Sequence, residues 1–177
     1  MSKPKSILDH HQLQIIINRL CHQLVENHNQ FSETVLIGLQ PRGVKLCHRI
    51  KSIIESNFSN VNLQVGNLDI TFYRDDFRRR EGPLVANSTS LQFSLENKKV
   101  VLIDDVLYTG RSVRAALDAL HDYGRPSSVE LLVLIDRRLS RHVPIQPNYV
   151  GHTIDVVAEE RVTVEWGQNE RVILKSK

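Results

Sequence analysis

The chain has 177 residues, 41% of them hydrophobic, and this length and composition predict one globular domain over residues 1–177 with a buried core. No segment approaches the roughly 18–20 consecutive apolar residues of a membrane span, and the basic N-terminus is not followed by the apolar stretch of a secretory signal. The formal net charge of +3 is mildly basic and does not by itself indicate nucleic-acid binding.

Apolar periodicity predicts helices and strands that alternate along most of the chain. In chain order we expect a helix with its apolar face between residues 13 and 24, a strand at 34–39, a helix from 43, strands at 62–71 and 98–103, a helix at 112–123, a strand at 129–135, and a hairpin of the runs 161–166 and 171–174. Residues 75–97 are polar and irregular, which fits either a hairpin or a mobile segment. This order predicts an α/β fold, with a mainly parallel, Rossmann-like sheet flanked by helices.

The cysteines indicate a reducing compartment. Cys21 and Cys47 each lie in an apolar-periodic segment, where a cysteine usually acts as a small core residue. This arrangement is unlike the disulfide framework of a small secreted protein. We therefore predict a cytoplasmic protein that makes no contact with a membrane.

One segment combines a buried strand, adjacent acidic residues and a glycine-containing loop that opens a helix. Residues 100–103 form the apolar run, Asp104 and Asp105 follow it, and Thr109-Gly110 precede the helix. Ligands of open parallel sheets lie beyond the carboxyl ends of the strands, and the N–H groups of a helix N-terminus suit a phosphate. The carboxylates suit sugar hydroxyls or a Mg²⁺ ion held partly through water. The segment therefore predicts a sugar-phosphate site.

This order of residues resembles the signature by which type I phosphoribosyltransferases bind 5-phosphoribosyl-1-pyrophosphate (PRPP). Residues 104–116 more specifically resemble the pyrimidine operon regulator/uracil phosphoribosyltransferase (PyrR) family, as do residues 68–76, 124–128, 144–145 and 149–151. The likeness covers nearly the full chain. It implies the type I phosphoribosyltransferase fold with a small hood and a flexible β lid. It also implies transfer of ribose 5-phosphate from PRPP to uracil, which gives UMP and pyrophosphate in the presence of Mg²⁺.

The resemblance implies a role for each part of this site. Asp104 and Asp105 would take the ribose hydroxyls and metal-bound water, and Asp136 would join them as a metal residue, mostly through water. Arg74 would clamp pyrophosphate from the lid. The segment that binds PRPP and its phosphate would consist of Val106, Leu107, Tyr108, Thr109, Gly110, Arg111 and Ser112.

Further regions follow from the same resemblance. The expected pyrophosphate loop consists of Pro41, Arg42 and Gly43. Pro41 departs from the Thr or Ser that is usual in the family. The base and metal region is expected at Asp136 and Arg137, after which residues 138–142 depart from the family's Gly-His-Arg-Glu pattern and are one residue longer. The alternative for Arg42, on the pattern alone, is a solvated arginine at the start of a helix.

Tyr108 bears on the choice of base. Purine transferases commonly have an Asp before Thr-Gly, used near purine N7, and a tyrosine cannot serve as that carboxylate. This position favours a pyrimidine without naming uracil, and simple packing of Tyr108 against the sugar or the strand explains it as well.

The family resemblance also implies a regulator that binds the leader of pyrimidine-operon messenger RNA, with UMP and UTP as effectors. Arg19 and His22 match its RNA-facing helix, and the helical wheel places both on the polar face. A solvated helix face explains these two residues equally well. A homodimer or larger assembly is expected. Two alternatives stay open: a mainly RNA-binding attenuator with weak catalysis, and a transferase for a purine such as hypoxanthine or guanine.

Overall fold

The computed structural model describes residues 4–75, 88–156 and 160–176. Its helices are α1 (His10–His28), α2 (Gly43–Asn57) and α3 (Arg111–Leu120), the last continued by a 3-10 turn (His121–Tyr123). Its strands are β1 (Lys5–Leu8), β2 (Thr34–Leu39), β3 (Gln64–Leu68), β4 (Lys99–Leu107), β5 (Ser128–Arg138), β6 (Tyr149–Asp155), β7 (Glu160–Glu165) and β8 (Arg171–Ser176). None of the helices in these ranges combines the length and apolar character that crossing a bilayer requires.

The central sheet, as far as the described residues show it, contains five strands in the order β3-β2-β4-β5-β6. Each neighbouring pair is parallel. Every residue of β2 is buried, as expected for a strand covered by helices on both faces. The predicted α/β fold with a parallel sheet flanked by helices is therefore confirmed, and the carboxyl ends of β2, β4 and β5 meet at one edge.

Strand β4 extends further than the sequence predicted. Its ladder with β5 continues through Asp104, Val106 and Leu107, which pair with Val133, Ile135 and Asp136 respectively. The predicted end at residue 103 was wrong because the apolar pattern stops there, whereas backbone pairing continues beneath the acidic side chains. The acidic pair consequently lies on a strand, in a backbone held by hydrogen bonds to its neighbour.

Two strands, β1 and β6, were not predicted from the sequence pattern. Strand β6 contains Gly151, which weakens a strand pattern in sequence. The structure shows why glycine is needed: a Cβ there would overlap the Leu134 carbonyl oxygen and lie 2.9 Å from Ile16 Cγ2. The close approach of α1 and β5 therefore requires glycine at residue 151. Both contacting residues are distant in sequence, so the local pattern does not indicate this requirement.

A second sheet joins the two ends of the described chain. It has the order β1-β8-β7 and is antiparallel, which confirms the predicted C-terminal hairpin. Glu170, in the turn before β8, is 4% exposed and accepts hydrogen bonds from Arg49 at 3.3 Å and from Gln14. These contacts anchor the small sheet to α1 and α2. The small sheet corresponds to the hood that the family resemblance implied.

The buried side chains of the described residues form clusters on both faces of the central sheet. One cluster packs α1, α2 and the small sheet against one face. The other packs α3 against the opposite face, with Val113, Ala116 and Ala119 among its members. These two packed faces hold the amino ends of α2 and α3 at the carboxyl edge of the sheet.

The flexible β lid was expected around residues 73–76, at the start of the irregular segment 75–97, and residues 76–87 of that segment lie outside the described residues. On its described flank, Asn67 and Ser90 form an isolated antiparallel bridge, with N···O distances of 3.0 and 2.9 Å. This bridge attaches the segment after residue 87 to the edge strand β3.

Candidate functional site

A sharp loop connects β4 to α3. Gly110 has φ +85°, a left-handed conformation that glycine adopts without strain, and it is the N-cap of α3. The Arg111 N–H lies 3.4 Å from Thr109 Oγ1, and the first helical bond runs from the Arg114 N–H to the Gly110 carbonyl at 3.0 Å. The predicted strand–loop–helix order is thus present. Val106 and Leu107 lie within β4, so the loop itself begins at Tyr108.

The acidic pair lies directly before this loop. Asp105 is 3% exposed, and its N–H donates to Asp104 Oδ1 at 2.9 Å. Burial, and then the neighbouring Asp105 carboxylate, raise the pKa of Asp104 well above its usual range. Burial also raises the pKa of Asp105, and the Arg42 charge opposes both shifts. The pair is held in a position that disfavours its charge, which is typical of a functional site.

The predicted pyrophosphate loop lies beside this pair. Pro41 and Arg42 are exposed between β2 and α2, and Gly43 is the first residue of α2. A Cβ on Gly43 would overlap the Ile103 carbonyl oxygen and lie 3.0 Å from Asp104 Cα. Glycine at this position therefore lets α2 begin directly against β4, and this brings Arg42 close enough to act on the acidic pair.

The residues before the undescribed segment contact the start of α3. Arg74 Nη1 donates to Ser112 Oγ at 3.0 Å. The Asp75 carboxylate forms ion pairs with Arg111 at 2.5 Å and Arg114 at 3.0 Å. Desolvation raises the Asp75 pKa, but the charges and hydrogen bonds of the two arginines together outweigh it and leave the pKa lowered. Asp75 was not predicted as a partner of the phosphate loop, because 36 residues separate it from Arg111.

The predicted base and metal region lies on the other side of the loop between β4 and α3. The Arg137 guanidinium stacks over the Tyr108 ring, 4.0 Å from its centroid. The Arg141 guanidinium donates to the Tyr108 carbonyl and to Asp136 Oδ1, each at 2.5 Å. Asp136 and Arg137, the residues predicted for the base and metal region, thus lie beside the loop. Arg141 was not among the predicted site residues, because it falls in the run that departs from the family pattern.

Comparison with known proteins connects this geometry to a family. The Phosphoribosyl transferase domain family matches residues 4–166. The Bifunctional protein PyrR of Caldicellulosiruptor bescii is 43% identical, over 99% of this chain and 97% of that protein. The proteins of the same name from Actinobacillus pleuropneumoniae and Bacillus mycoides are each 40% identical, over 98% and 100% of both chains respectively. The chain belongs to the PyrR family.

Solved structures agree with this PyrR-family fold. A hypoxanthine phosphoribosyltransferase from Staphylococcus aureus has a TM-score of 0.66 and 22% identity, covering 85% of this chain and 78% of its own. A hypoxanthine-guanine-xanthine phosphoribosyltransferase has a TM-score of 0.68 and 15% identity, covering 98% and 94%. At these identities the likeness concerns the fold alone.

The acidic pair of this PyrR-family chain suits a metal that is shared with a substrate. Among the described residues, no three His, Cys, Asp or Glu side chains converge to hold a metal ion. Asp105 Oδ2 is buried and has no hydrogen-bond partner in the described part of the chain. An orphaned carboxylate oxygen beside a second carboxylate fits Mg²⁺, which keeps several waters and takes further ligands from substrate phosphates.

The residues matched to the PyrR family's RNA-facing helix lie on the exposed side of α1, as predicted. Arg19 Nη2 donates to the carbonyls of Val150 at 3.1 Å and Gly151 at 2.5 Å, which ties α1 to β6. The His22 ring meets Phe58 edge-on, with 5.2 Å between the ring centroids. Each side chain therefore has a partner within the protein as well as an exposed surface.

Proposed function

We propose that this chain transfers ribose 5-phosphate from PRPP to uracil, and that it also regulates pyrimidine genes by binding operon messenger RNA in response to UMP and UTP. The observation that carries the first activity is the Asp104–Asp105 pair, half-buried and buried respectively, directly before the loop that opens α3. Full-length similarity to proteins named Bifunctional protein PyrR supports both roles.

Different residues of the chain bind different parts of PRPP. The backbone and hydroxyls of Tyr108–Ser112 bind the 5-phosphate at the positive end of α3. Asp104 and Asp105 accept hydrogen bonds from the ribose hydroxyls, while Arg42 and Arg74 stabilise the pyrophosphate. This positioning accounts for most of the catalysis, because in the transition state positive charge builds on the sugar and negative charge builds on the leaving pyrophosphate.

The transfer makes one bond and breaks one bond. Uracil N1 forms a bond to C1 of the ribose, the bond from C1 to the pyrophosphate oxygen breaks, and the N1 proton leaves to solvent. When bound, Mg²⁺ neutralises and orients the leaving pyrophosphate. Asp104, Asp105 and Asp136 would hold it mostly through water. Asp136 contributes least directly, since Arg141 already occupies its Oδ1 atom.

The base site favours a pyrimidine. Tyr108 stands where purine transferases commonly have an Asp; the residue is 39% exposed, and Arg137 stacks on its ring. A phenol in this position offers no carboxylate to a purine N7. Hypoxanthine and guanine remain the alternative substrates, since purine transferases share the fold.

Turnover tests the catalytic proposal. Incubation with PRPP, uracil and Mg²⁺ is expected to yield UMP and pyrophosphate in equal amounts, measured by chromatography and a coupled pyrophosphate assay. Omission of PRPP or chelation of Mg²⁺ should abolish both products. A protein that binds PRPP yet forms no UMP would contradict catalysis and leave the mainly RNA-binding attenuator as the better account.

Filter binding of a pyrimidine-operon leader RNA tests the regulatory role. Binding should strengthen when UMP or UTP is added and should weaken steeply with salt. His22→Ala is a more informative variant than Arg19→Ala, because replacing Arg19 would also remove its hydrogen bonds to the backbone of β6. RNA affinity that does not respond to uridine nucleotides would contradict this role.

We further propose that the protein is one domain over residues 1–177 and works in the cytoplasm as a homodimer or larger assembly. Pairing of β1 with β8 in one sheet supports the single domain. Free, buried Cys21 and Cys47 fit a reducing compartment.

Asp75→Asn should tighten the binding of PRPP. The Asp75 carboxylate now occupies Arg111 and Arg114, so it competes with an incoming phosphate for these cations. Removing its charge should lower the dissociation constant roughly three- to tenfold in calorimetry at low salt.

Glu165→Gln is the matched control for that variant. Glu165 also pairs with two cations, Arg171 and Lys175, at a similar side-chain exposure of 36% against 32% for Asp75. It lies in the small sheet, so PRPP affinity should not change. Weaker PRPP binding in Asp75→Asn would mean that Asp75 orients the arginines instead of competing for them.

A further inference from the structure

The segment between β5 and β6 lies directly on the phosphate loop. Arg141 donates to the Tyr108 carbonyl and to Asp136 Oδ1, each at 2.5 Å. The next residue continues the contact, since the His142 N–H donates to the Thr109 carbonyl at 3.0 Å. Successive loop carbonyls are therefore held from outside the loop by residues that follow β5.

Apolar packing reinforces these hydrogen bonds. At Gly110, where φ is +85°, a Cβ would lie 2.6 Å from Val143 Cγ2 and 3.6 Å from both Arg141 Cδ and Ile145 Cβ. The segment thus covers the turn where the loop enters α3. The absence of a side chain at Gly110 serves this close packing as well as the left-handed turn.

Arginine is well suited to this position. Its planar guanidinium presents donors in a fixed fork and can bridge two acceptors, whereas a lysine ammonium is a compact point charge on a flexible stem. Arg141 and Asp136 are 22% and 12% exposed, so water screens their ion pair only partly. The bridge therefore ties the carboxyl end of β5 firmly to the first peptide of the loop.

We propose that Arg141 is a positioning residue that sets the conformation of the phosphate loop and couples it to the base side of the site. It acts through Tyr108 and Asp136 and does not itself touch the substrate. This inference rests on the proposed function only in that the loop is the 5-phosphate site.

The inference can be tested without any ligand. Hydrogen–deuterium exchange of the free protein should be faster in peptides spanning residues 108–112 in both Arg141→Ala and Arg141→Lys. The matched control is Arg138→Ala, since Arg138 also pairs with a carboxylate, Asp155 at 2.8 Å, but in a contact that does not include the loop. Unchanged exchange at 108–112 in the Arg141 variants would overturn the proposal, whether or not the protein is a transferase.

Ligand binding then separates positioning from direct contact. In calorimetry, Arg141→Ala and Arg141→Lys should each weaken the binding of ribose 5-phosphate by about tenfold or more. The affinity for inorganic pyrophosphate with Mg²⁺ should stay within about twofold of that of the unaltered protein. Loss of pyrophosphate affinity with ribose 5-phosphate unchanged would make Arg141 a direct ligand and overturn the proposal. If the unaltered protein bound neither probe, the proposed function would fail, and the exchange result would still decide the role of Arg141.

Discussion

Replacing both Asp104 and Asp105 with Asn should reduce UMP formation by roughly a thousandfold or more, because each carboxylate makes charge-dependent contacts at the sugar and the metal. The same double variant should unfold at a higher temperature than the original protein. Asparagine keeps the shape of the side chain and removes a buried charge. Function and stability are therefore expected to change in opposite directions.

The stability gain follows from how the pair titrates. Burial, and for Asp104 the adjacent carboxylate, raise both pKa values above those of the unfolded chain. The folded protein therefore binds more protons than the unfolded one, and its free energy of unfolding falls as pH rises from about 3.9 through the raised values. The advantage of the double variant should accordingly be larger at about pH 8 than at about pH 5 in thermal melts.

Glu165→Gln is the control, because the pKa of Glu165 is shifted in the opposite direction to those of Asp104 and Asp105. Hydrogen bonding to Arg171 lowers the pKa of Glu165, so its charge is favourable in the folded state. Its removal should leave turnover unchanged and should not raise the unfolding temperature. Near-normal turnover in the Asp104→Asn, Asp105→Asn double variant would refute the site assignment. A lower unfolding temperature would refute the reading of the pair as a functional feature that destabilises the fold.

Gly43→Ala should destabilise the protein by about 3 kcal/mol or more, because a new Cβ would overlap backbone and neither neighbour can move away cheaply. The overlapping atom is the carbonyl oxygen of Ile103 in the central strand β4, and Asp104 Cα lies 3.0 Å away. Displacing α2 from β4 would also move Arg42 away from the acidic pair. The variant should therefore lose PRPP affinity in addition to stability, which urea unfolding and calorimetry would measure.

Gly167→Ala is the control for the loss of stability expected in Gly43→Ala. Gly167 has φ +143°, and a Cβ there would meet nothing within 4 Å. Only backbone strain applies, at about 1 kcal/mol, so the two alanine variants separate steric overlap from conformational cost. A cost below about 1 kcal/mol for Gly43→Ala would show that α2 can shift, and that its close contact with β4 does not hold the site together.

The sequence predicted those parts of the fold whose signals are local. The apolar run of β2, the periodic faces of α1 and α2 and the alternating tail hairpin all appeared where they were expected. Strand β6 was missed because its Gly151 is explained by Leu134 and Ile16, which are distant in sequence. The end of β4 was misplaced because acidic side chains interrupt the apolar pattern without interrupting backbone pairing.

The same distinction applies to the site. Asp104, Asp105 and Gly110 could be predicted, since strand, acidic pair and loop follow one another in sequence. Asp75 and Arg141 could not, because each acts on the loop across 33 or more residues, Asp75 through Arg111 and Arg141 through the Tyr108 carbonyl. Arg141 also lies in the run that departs from the expected family pattern, so resemblance to the family offered no guide there.

The most direct test of the central proposal is a turnover assay that offers uracil, hypoxanthine, guanine and orotate side by side with PRPP and Mg²⁺. We predict selective formation of UMP, with little or no product from the other three bases. Preferential formation of a purine nucleotide would contradict the account, because it would show that Tyr108 does not bias the site towards pyrimidines.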